Sequence, residues 1–199
     1  MIQHIGHTIV YVRSTESTNN YAIDQFTGNE VEEGTVFLAH DQTAGRGQIN
    51  NRWESEAGKN LTFSILIRPE FLEIQKQFML SKIVCLGLVS FLNRYTGGVK
   101  IKWPNDIYVG DSKICGILIE NAVMSGMINQ SVMGIGLNIN QTIFRSSAPK
   151  PVSLKMITGT DYDLDLLIKE LLNEIDLFYL KLKKGCYADL DQAFHGNLY

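Results

Sequence analysis

Large apolar residues recur at every second position in several short runs of the chain, and this period of two predicts β-strands. The clearest run is 61–67, LTFSILI, after which Pro69 acts as a stop. Similar runs predict strands at 8–12, 34–41, 99–103, 106–109, 113–120 and 128–139. Glycine-containing turns at 110–112 and 125–126 separate the last three runs, so these strands are expected to form hairpins.

Three other segments have apolar residues at the spacing of a helix. The first follows Ser and Thr capping residues within 14–26, the second runs from Ile74 to Tyr95, and the third runs from Leu164 to Lys183 with Asp163 as its cap. Strands joined by hairpins, with helices between groups of strands, predict an α+β fold. We expect a mixed, mostly antiparallel sheet with helices packed on one face.

Composition limits the kinds of partner that the chain can have. With 199 residues, 45% of them hydrophobic, and a net charge of −3, the chain can build a full core but lacks a global positive field for nucleic acid. Its three cysteines match no zinc spacing, and no signal peptide precedes the first strand. No uninterrupted apolar run approaches the roughly 18 residues of a membrane span. We therefore expect a cytoplasmic protein that does not enter a membrane.

The segment DQTAGRGQINNRW, residues 41–53, concentrates glycine and arginine. Gly45 and Gly47 allow backbone N–H groups to converge on an anion, and Arg46 and Arg52 add charged donors for phosphate or carboxylate oxygens. No GK[ST] sequence follows, so it is not a Walker loop. An ordinary polar surface loop is the alternative.

The segment KWPND and the lysine that follows it form a second candidate. Asn105 and Asp106 come at a strand end, after a bend that Trp103 is expected to anchor, and an Asx-type turn is the alternative. Lys113 opens an otherwise apolar strand in which Gly116 makes room nearby. A strand-end lysine with no function is equally compatible with this pattern.

The segment GIGLNIN, residues 134–140, is the third candidate. Gly134 and Gly136 weaken a strand unless another group must approach it closely, and Asn138 is expected on the same face. No third glycine follows, so the pattern is not a dinucleotide fingerprint. The four histidines are scattered, and neither an HExxH nor a GxSxG motif occurs, so a zinc site or a hydrolytic triad is not expected.

Taken together, STNNYA, DQTAGRGQINNRW, KWPNDIYVGDSKICGILIE and GIGLNIN resemble, in order and spacing, the motif set of the biotin protein ligases, also called biotin–[acetyl-CoA-carboxylase] ligases. The resemblance covers about residues 8–185. It implies a class II aminoacyl-tRNA synthetase/biotin ligase-like catalytic domain at 1–185. It also implies that biotin and MgATP form biotinyl-5′-AMP, and that biotin then passes to a lysine of a biotin carboxyl carrier domain. A lipoate or octanoyl protein ligase of the same superfamily, or a non-catalytic biotin or adenylate binder, are the alternatives.

The resemblance also implies roles for individual residues. The residues implied to bind biotin are Ser17, Thr18, Asn19, Gln42, Gly45, Arg46, Trp53 and Gly116. The residues implied to bind ATP and the adenylate are Arg46, Gly47, Gln48, Arg52, Asn105, Lys113 and Asn138. The catalytic residues are Lys113, Arg46 and Asp106, with Asp106 orienting the incoming lysine amine. Mg²⁺ is expected with ATP, and no metal ligands are assigned.

Three features depart from the pattern of the relatives. Gln48 stands where many of them have a second loop arginine. No winged-helix segment precedes the first strand, so DNA binding is not expected. Residues 186–199 are expected to be the start of, or a remnant before, a missing C-terminal SH3-like barrel. By analogy with the family, a homodimer is also compatible with the exposed sheet edges.

Overall fold

A computed structural model describes residues 3–28, 31–48, 51–145 and 150–199. Within them, one sheet contains β1 (Ile9–Thr15), β2 (Val36–Gln42), β3 (Leu61–Ile67), β4 (Val99–Lys102), β5 (Asp106–Val109), β6 (Ser112–Met124) and β7 (Met127–Leu137). The strand order is β1-β2-β3-β7-β6-β5-β4. Strands β1 and β2 are parallel, and the other neighbouring pairs are antiparallel. The predicted mixed, mostly antiparallel sheet is confirmed.

The helices of the described residues are α1 (Thr18–Gly28), α2 (Phe78–Leu92), α3 (Leu154–Thr158), α4 (Leu164–Lys183) and α5 (Tyr187–Gly196), and a 3-10 turn covers Ile74–Lys76. Asp163 caps α4 as predicted, because its side chain accepts hydrogen bonds from the backbone N–H groups of Asp165 and Leu166. The single helix predicted from Ile74 to Tyr95 is instead divided into this 3-10 turn and α2.

Helices α2, α4 and α5 pack together on one face of the sheet and form the main core with it. The alternating residues Leu61, Phe63 and Ile65 of β3 point into this core and are fully buried. The stretch Ile74–Leu92 is, by length and composition, apolar enough to cross a membrane, contrary to the expectation from uninterrupted runs. In this fold most of its apolar side chains are covered by α4, α5 and the sheet.

Helix α1 lies on the opposite face of the sheet, which corrects the expectation that the helices share one face. Ala22 of α1 packs there against Phe37, Leu66 and Val132 in a small separate cluster. These three strand residues form an apolar patch on an otherwise polar face, and α1 packs on this patch. The rest of the face next to α1 is polar and open.

The segment 186–199 packs onto the same domain as the residues before it. Leu190 and Phe194 of α5 are buried against the core. Beyond α5, the chain runs beside β4: Ile101 N–H donates to Asn197 O, and Tyr199 N–H donates to Ile101 O, with N···O distances of 2.8 and 2.9 Å. The predicted boundary at residue 185 and the expected barrel stay predictions.

Candidate functional site

A cavity of about 190 Å³ opens on the polar face of the sheet, beside the N-terminus of α1. The strands carry mostly small or polar residues there, with Leu118 as the exception, in two rows that cross β3, β7 and β6. Ser64, Gly134 and Leu118 form one row, and Thr62, Gly136 and Gly116 form the next. The lining residues are Ser17, Thr18, Asn19, Gln42, Arg46, Gly47, Gln48, Asn51, Arg52, Trp53, Thr62, Asn105, Asp106, Lys113, Gly116, Ile117, Leu118, Gly134, Ile135 and Gly136.

The end of the cavity at the first row is lined by neutral hydrogen-bonding side chains. Ser17, Thr18 and Asn19 lie at the start of α1 and are almost completely buried. Gln42, at the end of β2, accepts a hydrogen bond from Thr18 N–H at 2.9 Å through Oε1. This end can recognise a polar, uncharged group through several directional hydrogen bonds.

The middle of the cavity is bounded by the indole of Trp53. A Cβ atom at Gly136 would lie 2.2 Å from Trp53 Cε2, and one at Gly116 would lie 3.2 Å from the same ring. Likewise, a Cβ atom at Gly134 would lie 2.2 Å from Asn19 Oδ1. The strand glycines thus make room for side chains of this chain, rather than directly for a ligand. The buried Nε1 of Trp53 has no acceptor among the described residues.

Lys113 and Asp106 form the charged end of the cavity. Lys113 Nζ lies 2.7 Å from Asp106 Oδ1, and both side chains are about a quarter exposed. A β-bulge in the pairing of β5 with β6 leaves Ile114 as an extra residue, since Ile107 pairs with Cys115 and Tyr108 pairs with Lys113. This extra residue turns Lys113 to the face of Gly116, where a Cβ atom on the glycine would lie 3.4 Å from Nζ.

The glycine-arginine segment folds back on itself as a narrow hairpin beside the cavity. Gly47 N–H donates to Asn51 O, and Trp53 N–H donates to Gly45 O, at 2.7 and 2.9 Å. A Cβ atom at Gly45 would lie 2.6 Å from the backbone oxygen of Trp53, so only glycine fits this crossing. Residues 49–50, within the predicted loop, lie outside the described residues.

The side chains of Arg46 and Lys113 lie at different ends of the cavity in this structure. Its Nη2 donates to Oε2 of Glu120 at 2.6 Å, and the same oxygen accepts from Asn19 Nδ2 at 2.7 Å. Glu120 is four residues beyond Gly116 on β6, or about 13 Å along a strand. The guanidinium, paired with the Glu120 carboxylate, therefore lies at the end beside Asn19, and the ammonium of Lys113 lies at the other end.

The cavity lining brings together all but two of the residues that the sequence assigned to the site. Gly45 supports the hairpin without lining the cavity. Asn138 also lies outside the lining: it is buried, and its Nδ2 donates to Val152 O at 3.0 Å. Asn138 thus holds the segment before α3 against β6. Trp103 is 68% exposed and does not anchor the bend, which corrects that expectation.

Sequence reasoning missed Glu120 and Ser64. Ser64 Oγ lies 2.6 Å from Asn19 Oδ1 and 2.8 Å from Thr18 Oγ1. The signal for Ser64 is its place as a polar residue between the apolar positions of β3. Glu120 gives a weaker signal, because a glutamate at the end of an apolar run is usually a solvated residue.

Two of the free cysteines, Cys85 and Cys115, are buried, and burial disfavours the thiolate form. Burial raises the pKa of Cys85 to about 12 and raises the pKa of Cys115 well above its usual value. Among the described residues, no group of three or more His, Cys, Asp or Glu side chains gathers as metal ligands do. The side chains that line the cavity offer hydrogen-bond donors and acceptors at Thr18 and Gln42 and a cation at Lys113.

A second cavity of about 270 Å³ adjoins the first. Gln48, Asn105 and Ile117 line both. Its other walls include Phe78, Ser81 and Pro104. The charged end of the first cavity therefore has a neighbouring recess with an apolar wall.

Comparison with known proteins gives a consistent result. The sequence pattern of the biotin/lipoate A/B protein ligase family matches residues 11–138. The bifunctional ligase/repressor BirA of Bacillus subtilis is 33% identical over 138 residues, which are 69% of this chain and 42% of that protein. The chain thus spans less than half the length of this relative. A biotin–[acetyl-CoA-carboxylase] ligase of Paracoccus denitrificans is 31% identical over 164 residues, or 77% of this chain and 67% of that one.

Among solved structures, the biotin protein ligase of Aquifex aeolicus, in complex with biotin and ATP, superposes with a TM-score of 0.82. It is 25% identical, and the match covers 96% of this chain and 78% of that chain. The α+β fold of this chain is therefore that of the Aquifex aeolicus protein.

Proposed function

Because the chain belongs to the biotin/lipoate A/B protein ligase family, we propose that it joins biotin to protein through a biotinyl-5′-AMP intermediate. In this proposal, biotin and ATP are its small-molecule substrates, and Mg²⁺ arrives with ATP. The protein substrate is a lysine of a biotin carboxyl carrier domain.

The observation that carries the proposal is the order of chemical groups along the cavity. Neutral hydrogen-bonding groups stand at Thr18 and Gln42, an aromatic ring follows at Trp53, and a cation stands at Lys113. Biotin has its groups in the same order: a polar ureido ring, an apolar body and a carboxylate. The row of Gly134 and the row of Gly136 are about 7 Å apart along the strands. The side chain of Lys113 adds its own length to the distance between the two ends of the cavity.

In the first step, an oxygen of the biotin carboxylate attacks the α-phosphorus of ATP, and pyrophosphate leaves. Two anions must approach each other, so the site needs cations at the point of contact. Lys113 supplies one of them. Its partner Asp106, at 2.7 Å, keeps the ammonium group in place before the substrates arrive.

In the second step, the neutral amine of the carrier lysine attacks the acyl carbon of the adenylate, the bond from that carbon to the phosphate oxygen breaks, and AMP and one amine proton are released. Asp106 accepts a hydrogen bond from the incoming amine and orients it. We propose that the lysine enters through the second cavity, because Asn105 and Ile117 belong to both. Its apolar wall suits the methylene chain of a lysine.

The test is biotin-dependent exchange of labelled pyrophosphate into ATP by the purified chain with MgCl₂. We expect exchange with biotin and none without it. Lipoic acid and octanoic acid serve as matched acids that lack the ureido ring. Adding a carrier domain and measuring its mass should then show the gain of one biotin.

The outcomes separate the alternative activities. Exchange with lipoic or octanoic acid but not with biotin would assign the chain to the lipoate branch of the family. A rise in melting temperature with biotin, without any exchange, would make it a binder, since a ligand that binds the folded state stabilises it without reacting.

A further inference from the structure

We propose that the rings of Trp103 and Phe78 form a docking point for the protein substrate, where they contact an apolar side chain on an acidic surface of the carrier, close to its target lysine. Phe78 lines the second cavity, and Trp103 lies beside it. The proposal rests on the proposed function and names what this site recognises in its protein partner.

The indole of Trp103 contributes little to the core. Its side chain is 68% exposed, although tryptophan is among the largest apolar side chains and is enriched at the energetic centres of protein interfaces. The centroid of its ring lies 6.5 Å from that of Phe78, with an angle of 56° between the two planes. Most of the indole surface is therefore open to a partner.

The bend that carries Trp103 is fastened to the rest of the fold at two points. Ser81 Oγ of α2 donates to Pro104 O at 3.1 Å, and Asn105 Nδ2 donates to Ile117 O at 2.7 Å. A backbone fixed in this way presents the indole at a defined place before a partner arrives. Less ordering entropy is then lost when the partner binds.

The ring of Phe78 is also fixed in place. It packs edge-on against Phe194 of α5, with 5.6 Å between the centroids and 85° between the planes. Lys82 Nζ lies 5.4 Å from the centroid of the Phe78 ring and 2.5 Å from Asp191 Oδ1. The charge of this lysine is balanced by its carboxylate partner, so the base of the docking point is apolar and nearly neutral.

Residues 103–105 lead from the outer surface to the junction of the two cavities. Asn105 lines both cavities, Pro104 lines the second cavity alone, and Trp103 lines neither. Two residues of chain span at most about 7 Å, which is comparable with the four methylene groups of a lysine side chain. A lysine whose amine reaches the junction therefore has its neighbouring residues at the level of Trp103.

The chemistry of this rim defines the partner. Phe78, Pro104 and the indole offer apolar surface, so the side chain that contacts them is apolar. Lys102, the residue before Trp103, is exposed and forms no ion pair within the described ranges. The surface that approaches this cation should therefore carry carboxylates around its apolar side chain.

The experiment compares two reactions of the same adenylate in the Trp103→Ala variant. One is transfer of biotin to a purified biotin carboxyl carrier domain. The other is transfer to hydroxylamine, which gives biotin hydroxamate and AMP and is too small to contact Trp103 from the adenylate. We expect the KM for the carrier to rise at least about tenfold, the scale of losing one interface hot spot. Pyrophosphate exchange and hydroxamate formation should change less than about twofold.

Two further variants separate the ring from its position. Trp103→Phe keeps an aromatic ring and should recover most of the loss. Tyr11→Ala is the matched control, because Tyr11 is 59% exposed and lies on β1, at the opposite edge of the sheet from β4. It should leave the KM for the carrier near that of wild type. Added NaCl should raise this KM without slowing hydroxamate formation, because salt screens exposed charges.

An unchanged KM for the carrier in Trp103→Ala would overturn the inference, and so would an equal loss with hydroxylamine. A wild-type dimer that becomes a monomer in Trp103→Ala, judged by light scattering, would overturn it by assigning the rings to a second copy of the chain. Wild-type protein without biotin-dependent pyrophosphate exchange would refute the proposed function and this inference with it. If Trp103→Ala does not fold, Trp103→Gln carries the same expectation, since it removes the ring but keeps a side chain of some length.

Discussion

Arg46 and Glu120 form an ion pair, 2.6 Å between Nη2 and Oε2, that fastens the glycine-arginine hairpin to strand β6. Both side chains are partly exposed, so the pair adds little to the global stability. Its effect is local, because it joins one side chain of the hairpin to one side chain of β6. The pair keeps Arg46 at the end of the cavity beside α1, where Glu120 balances its charge.

We expect Glu120→Gln to loosen the hairpin without unfolding the protein. Removal of the charge should change the free energy of unfolding by less than about 1 kcal/mol. Trypsin should cut faster after Arg46 and Arg52 in this variant, as judged by the masses of the first fragments. Glu73→Gln is the control, because it removes an ion pair with Lys76 elsewhere on the surface. Equal cutting rates in the two variants would contradict this role of the pair.

We expect Lys113→Ala to lose biotin-dependent pyrophosphate exchange by about 100-fold or more, the scale of removing one preorganised charge from a reacting centre. The melting temperature should stay close to that of wild type, because Asp106 is partly exposed and can be rehydrated. Lys100→Ala, which removes an exposed lysine of β4, should keep full exchange. Near-normal exchange in Lys113→Ala would refute the role of this lysine.

We expect Gly136→Ala to displace the ring of Trp53 and to close the middle of the cavity. A methyl group 2.2 Å from the indole cannot be accommodated, and such overpacking costs about 1–3 kcal/mol. In a Trp103→Phe background, the fluorescence of Trp53 should shift to the red, and biotin should no longer raise the melting temperature. Gly97→Ala is the control, since its Cβ would meet no atom within 4 Å.

Stability should fall between about pH 10 and pH 12, partly through Tyr95. Burial and the hydrogen bond to Glu170 raise the pKa of Tyr95 from 10.0 to about 12 in the folded protein. Below pH 10, this tyrosine is protonated in both the folded and unfolded states, and its contribution is fully present. As the pH rises further, the unfolded state loses its proton first, and stability declines. In urea melts at pH 9 and pH 11, Tyr95→Phe should show a smaller decline than wild type.

The parts of the fold and of the site that could be predicted are those set by local patterns. The period of two in 61–67 predicted β3, and the glycines and arginines of 41–53 predicted a loop, which lies beside the cavity. The side of the sheet on which α1 packs could not be predicted, because it depends on Phe37, Leu66 and Val132 meeting across three strands. Arg46 was recognised from sequence but Glu120 was not, since their contact joins positions 74 residues apart.

Asn138 illustrates the same limit within a motif. Its place after two glycines indicated a ligand contact on the shared strand face. In the fold β7 has ended at Leu137, and Asn138 is used to bind the backbone of Val152. The Oδ1 atom of Asn138 has no partner among the described residues, so its predicted adenylate contact stays a prediction.

The segment 197–199, which runs beside Ile101, also affects the tendency of this protein to aggregate at high concentration. An outermost strand with free N–H and C=O groups is a template for aggregation through intermolecular strand pairing. The N–H and C=O of Ile101, at the centre of β4, are already bonded to Asn197 and Tyr199. Strand β4 is therefore protected against such self-association by the chain's own backbone.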